Sequence, residues 1–143
     1  MRILSLVFSF YNEEKNLIKL IDRISAVINK LENWDYELIF VNDDSNDNSE
    51  KILIEKQKSH PIKIVNMSRR FGVGPCVLAG LELTKGNAVI YMDSDLQDPP
   101  EIIPQLIEKF EKGADIVHTK RTKRLGESKF KMFLTKIAYR IIN

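Results

Sequence analysis

Four oxygen-bearing side chains crowd one short stretch: Asp93, Asp95, Gln97 and Asp98, ahead of Pro99-Pro100. Carboxylate and amide oxygens are hard donors suited to Mg²⁺ or Mn²⁺, ions that usually share their coordination with substrate phosphates. The stretch follows residues 87–92, mostly apolar with Val, Ile and Tyr, which read as a strand buried on both faces. Pro99-Pro100 stops any continuation of strand pairing. Open α/β sheets place their ligand sites at the C-terminal ends of such strands. The alternative is an acidic solvated loop. Two more polar turns, 9–14 and 42–48, also follow apolar runs. In a parallel sheet all three emerge on one edge, which lets Tyr11, Asp43 and the 93–98 carboxylates converge.

Other arrangements fail on spacing. Gly72, Gly74 and Gly80 do not form Gly-x-Gly-x-x-Gly, and they follow the third strand, not the first. Asp44-x-Asn46-x-Asn48 imitates a calcium loop, but its sixth position is Ser49, where the sharp turn requires Gly. His60 and His118 have no companions at ligand spacing. Cys76 lies in an apolar run without a paired base, so it reads as buried and inert.

Strands and helices alternate along the chain. Residues 3–8 read as a central strand, and 9–14 as a turn with Asn12 as helix N-cap. Leu17, Leu20, Ile21, Ile24, Val27, Ile28 and Leu31 recur at helical spacing and predict a helix over 14–31. A strand at 37–41 precedes a helix from Ser49, capped by Ser49 or Asn48, to about Lys58. A strand at 62–66, a glycine-bearing loop at 68–74 and a short helix at 76–83 come next. After the strand at 87–92, a helix begins near Pro100 with Ile102, Ile103, Leu106, Ile107 and Phe110 facing the core. Gly113 ends it, and 115–118 read as a fifth short strand. Strict alternation predicts an α/β fold, a doubly wound, mostly parallel, Rossmann-like sheet with helices on both faces.

The 143 residues, 43% hydrophobic and 29% charged, suffice for one domain with a real core. No stretch approaches the roughly 20 apolar residues that span a bilayer. The opening segment reads as a strand and not as a signal peptide, and a single cysteine fits a reducing, cytoplasmic setting. Charge is unevenly spread. Residues 119–143 hold eight Lys/Arg against Glu127, a net +7, while the other 118 residues carry 14 basic and 19 acidic groups, a net −5. Such a tail is drawn to phosphate, nucleic acid or a membrane surface. Phe130, Phe133, Leu134, Ile137, Ala138 and Ile141 form one apolar stripe at helical spacing, with Lys129, Lys131, Lys136 and Arg140 off it. That pattern predicts a helix lying in a membrane interface or, alternatively, one packing its stripe on the sheet.

Several motifs occur in order: Ser-Phe-Tyr-Asn-Glu-Glu (9–14), Val-Asn-Asp-Asp-Ser-Asn-Asp (41–47), Met-Ser-Arg-Arg-Phe-Gly (67–72), Ala-Gly-Leu (79–81), Met-Asp-Ser-Asp-Leu-Gln-Asp-Pro-Pro-Glu (92–101) and Arg-Thr-Lys-Arg-Leu-Gly-Glu-Ser (121–128). Together they resemble the inverting family 2 glycosyltransferases of the GT-A fold, and more narrowly the polyprenyl-phosphate sugar transferases. The chain departs from that pattern at Ser9 (usually Pro), Asn42 (Asp), Asp44 (Gly) and Val73-Gly74 (often Lys-Glu). Family members continue well beyond Asn143, so the chain resembles their donor-binding half.

The resemblance implies a domain at 1–118 that binds a UDP- or GDP-sugar, and a basic loop with an amphipathic helix at 119–143 that begins the acceptor and membrane-proximal region. Tyr11 and Glu13 would border the nucleotide, Asp43 would accept a hydrogen bond from its base, and Arg69 would lie beside its phosphates. Asp93 would contact the nucleotide side. Asp95 and Gln97 would hold Mg²⁺ or Mn²⁺, and Arg121 and Arg124 would face donor or acceptor phosphate; for these two arginines a solvated basic loop is the alternative. A polyprenyl phosphate acceptor is largely ionised at neutral pH and needs little general-base help. A glycosyltransferase for polysaccharide or protein acceptors is the rival enzyme, and a nucleotide-sugar binding module without turnover the rival outside catalysis. The implied location is the cytoplasm, peripheral at the inner face of an anionic membrane, with no nucleic-acid partner.

Overall fold

The computed structural model describes residues 1–120. Strands β1 (Arg2–Phe10), β2 (Trp34–Asn42), β3 (Ile62–Asn66) and β4 (Ala88–Tyr91) form a sheet of order β3-β2-β1-β4. All three pairings are parallel. Helices α1 (Leu17–Ile28), α2 (Ser49–Lys56), α3 (Val73–Leu81) and α4 (Ile103–Glu111) connect them, α4 being entered through a 3-10 turn at Pro100–Ile102. The chain winds outward from β1 to β3 and then reverses to β4 on the other side of β1. This is the expected doubly wound α/β architecture.

Both faces of the central strands are covered, which is why β1 and β2 read as unbroken apolar runs. On one face Leu4, Leu6, Phe8 and Phe10 of β1, with Leu38 and Phe40 of β2, meet α1, Leu53 of α2, and Ile103 and Ile107 of α4. Phe8 and Phe40 stack at 4.8 Å between ring centroids. On the other face Val7, Ile39 and Val41 meet Cys76 and Ala79 of α3. Here α3 lies close to the sheet: a Cβ on Gly80 would come within 2.5 Å of Val7 Cγ1 and 3.1 Å of Val41 Cγ2.

Register fixes where the chain leaves the sheet. Phe10 pairs with Asn42, Asn42 with Asn66, and Val7 with Tyr91. Residues 11, 43, 67 and 92 therefore start their loops from one edge. A buried polar cluster near the opposite end holds β4 to this frame. Glu37 accepts hydrogen bonds from Ser5 Oγ (2.6 Å), the Lys85 amide (2.7 Å) and Lys63 Nζ (2.6 Å). Ser5 Oγ in turn accepts the Gly86 N–H at 2.9 Å.

Some expectations fail. The fifth strand at 115–118 is not formed. β4 and residues 114–119 together line a cavity of about 740 Å³. Asn12 does not cap α1, which begins only at Leu17. Its backbone is left-handed, with φ 57°, and its amide is spent on the neighbouring turn. Neither Asn48 nor Ser49 caps α2 by its side chain; instead Asp47 Oδ1 accepts the Ser49 N–H at 2.9 Å.

Candidate functional site

A second cavity, about 270 Å³, opens at the C-terminal ends of β1, β2 and β4. Strand order reverses between β1 and β4, which is where doubly wound sheets bind ligands. Tyr11, Glu13, Asp43, Asp93 and Asp95 all line it, as do Ser9, Ser94, Arg70 and Gly72. Turns far apart in sequence thus meet as the parallel topology requires.

The first two turns are tied together. Asn12 N–H donates to Ser45 Oγ (3.0 Å), Asn12 Nδ2 donates to Asn46 Oδ1 (2.8 Å), and the Asn46 backbone N–H donates to Asn12 Oδ1 (2.9 Å). Glu13 N–H donates to Ser49 Oγ and Glu14 N–H to Asp47 Oδ2. Burial alone would raise the Asp47 pKa, but bonds from Ser49 and the Glu14 amide hold it below the usual carboxylate range.

Asp43 is buried and accepts Phe71 N–H at 2.7 Å and Gly72 N–H at 2.9 Å, one on each oxygen. It thereby anchors the loop before α3, whose N-cap residue Gly72 has no side chain to cap the helix. Burial works against its ionised form, yet these amides, the Cys76 thiol and the charge of Arg70 outweigh it and keep the pKa low. The Cys76 thiol is pushed up to about 11, by burial first and Asp43 second. Its expected inertness follows.

The carboxylate turn follows β4. Ser94 Oγ donates to Ser9 O at 3.1 Å, and Asp95 Oδ1 accepts the Gln97 N–H at 2.9 Å. Tyr91 Oη donates to Asp93 Oδ1 at 2.6 Å; burial, then this carboxylate, raises the Tyr91 pKa to about 12, so the phenol remains a donor. Leu96, between Asp95 and Gln97, is left-handed at φ 64°.

Arginine placement differs from the sequence expectation. Arg69 stacks on Phe71, 4.8 Å from its ring centroid, and is not part of the cavity lining. Arg70 lines the cavity and lies 3.9 Å over the Tyr11 ring. The chain bends at Ser68 and Arg69, and only one arginine of the pair lines the cavity. Gln97 is beside the cavity but not in its lining, and Arg121 and Arg124 lie outside the described residues. His118 lines the larger cavity, and His60 Nδ1 sits 3.3 Å from Ser25 Oγ.

Four carboxylates against one guanidinium leave the small cavity strongly anionic. Among the described residues no cluster of three or more His, Cys, Asp or Glu forms a complete metal cage. An incomplete set of hard oxygens is what Mg²⁺ and Mn²⁺ use when phosphate and water supply the remaining ligands. An anionic ligand entering here would be repelled unless added positive charge balances these carboxylates.

Residues 5–142 match Glycosyl transferase family 2. An uncharacterised glycosyltransferase of Synechocystis sp. is 46% identical over 97% of this chain and 44% of its own length. The bactoprenol glucosyl transferase of Shigella phage SfX is 38% identical over 98% of this chain and 46% of its own. Glucosyl-3-phosphoglycerate synthase from Mycobacterium tuberculosis, solved with Mn²⁺, UDP and glucosyl-3-phosphoglycerate, superposes with TM-score 0.60 at 29% identity, covering 76% of this chain and 39% of that one. The sheet and its helices are those of the GT-A fold. The chain spans less than half the length of the curated relatives it matches.

Proposed function

The chain belongs to glycosyl transferase family 2, and on that premise we propose that it forms the donor-binding part of an enzyme that moves a sugar from a nucleoside diphosphate to a polyprenyl phosphate. The observation that carries the donor site is the convergence of Tyr11, Glu13, Asp43, Asp93, Asp95 and Arg70 on one cavity at the sheet's switch point. Support for the acceptor class comes from the bactoprenol glucosyl transferase relative, aligned over 98% of this chain.

In this reading the nucleoside rests against Tyr11 and Glu13, with Asp43 accepting an N–H from the base. Uracil N3 and guanine N1 offer a ring N–H for it, while adenine and cytosine offer only an exocyclic amino group on the pairing edge. Each oxygen of Asp43 already accepts one loop amide, and a carboxylate has lone pairs for more. Arg70 takes the place beside the nucleotide that sequence assigned to Arg69. Asp95, with Gln97 beside it, would hold Mg²⁺ or Mn²⁺, and Asp93, oriented by Tyr91, faces the nucleotide side. When bound, such an ion would supply positive charge that favours departure of the nucleoside diphosphate. The lipid phosphate is ionised at neutral pH, so no carboxylate base is needed to activate it. Arg121 and Arg124 are proposed to hold that phosphate in line. The protein would work peripherally at the cytoplasmic side of a membrane; among the described residues no helix is long and apolar enough to cross one.

The test is transfer of radiolabelled sugar from UDP- or GDP-sugars to polyprenyl phosphate, by this chain and by a longer version carrying what its relatives have in addition. Labelled lipid from either donor is the expected result. Transfer only to hydroxyl acceptors would move the protein to the polysaccharide or protein-modifying branch. Tight donor binding without transfer by either version would make it a binding module.

A further inference from the structure

Resting on that nucleotide-binding reading, we propose that Asn12 is a positioning residue, which holds Tyr11 and Glu13 in the cavity wall by locking the first turn onto the second. Tyr11 and Glu13 line the cavity; Asn12, between them, does not. Its backbone is left-handed, a conformation that Asn, Asp and Gly accept and bulkier side chains resist. Its side chain is fully engaged across the gap: Nδ2 donates to Asn46 Oδ1 at 2.8 Å, and Oδ1 accepts Asn46 N–H at 2.9 Å. Its own N–H donates to Ser45 Oγ at 3.0 Å. Both partners belong to the loop following β2, two and three residues beyond Asp43. Asn12 therefore sets the spacing between Tyr11, on one side of the proposed nucleotide, and Asp43, on the other. It also presents the ring on which Arg70 lies.

The test uses the full chain and four forms: wild type, Asn12→Gly, Asn46→Ala and the double variant. Asn12→Gly keeps the left-handed turn and removes the side-chain pair; Asn46→Ala leaves Asn12 intact and removes its acceptor. Binding of UDP and GDP with Mn²⁺ is measured by calorimetry, alongside melting temperatures. Each single variant is expected to raise Kd about tenfold, the loss of one or two ordinary hydrogen bonds. The double variant should do no worse than the poorer single one, because the two side chains act as a unit. Unchanged Kd with lowered melting temperatures would overturn the proposal, leaving Asn12 a stabilising residue only. Additive losses would overturn the pairing with Asn46. Should wild type bind neither nucleotide, the nucleotide-binding reading falls by itself. The proposal is then decided by NMR contacts between the Tyr11 ring and the Arg70 guanidinium, lost in Asn12→Gly if Asn12 positions Tyr11 and retained if it does not.

Discussion

Asp95 and Asp43 look alike in sequence, each a carboxylate just past a strand, yet the fold uses them differently. Asp43 is enclosed and engaged by the 71–72 amides, whereas Asp95 lines the cavity with one oxygen on the Gln97 amide. We propose that metal dependence belongs to Asp95, whose carboxylate lines the cavity. Mn²⁺ should tighten UDP binding by about tenfold, or about 1.4 kcal/mol, and Asp95→Ala should abolish that gain. Calorimetry with and without chelator decides it; equal affinities in wild type would remove the metal from the site. The carboxylate turn was legible because hard oxygens concentrated behind an apolar run have few other uses. Asn12 was not, since a polar residue before a helix suits capping as well as a left-handed turn, and only the partner loop distinguishes them. Arg69 and Arg70 were likewise indistinguishable until the direction of the loop was known.

Among the elements, β4 depends on a buried charge for its position. Glu37 fastens the Lys85–Gly86 turn through the Lys85 amide and Ser5, and it pairs with Lys63. Burial opposes its ionisation, but Lys63, Ser5 and the Lys85 amide together lower its pKa from the ordinary 4.5. A depressed carboxylate contributes stability that is present above its unfolded pKa and lost as pH falls through the folded one. Wild-type stability should thus decline below about pH 4.5. Glu37→Ala, which strands three donors, should cost about 3 kcal/mol near neutral pH and flatten that acid decline. Urea melts at several pH values check both. Strands β1 and β2 were readable as segments covered on both sides, and the α1 stripe as a helix face. Residues 115–118 have strand composition too, but a strand requires pairing as well as a sequence, and here they line a cavity with β4 without pairing to it.

For the whole molecule, charge separates where the chemistry does not: the first 118 residues carry −5 and the last 25 carry +7. Basic groups near an anionic bilayer are worth about 1 kcal/mol each, so a few of the eight suffice for peripheral attachment. The chain should cosediment with anionic liposomes, stay behind with neutral ones, and be released by salt. If it remains in the supernatant with anionic liposomes at low salt, the apolar stripe of 130–141 serves the protein interior instead. Parallel strands impose a further division. Every connection that enters a strand lies at the end remote from the cavity, and two of these, 29–33 and 57–61, are mostly exposed. The third, through Lys85 and Gly86, is pinned by Glu37. Length variation, epitope tags and reporter insertions thus have two harbours, around Asn33 and Ser59, where the chain can be opened while the registers of β1 with β2 and β4 stay as they are.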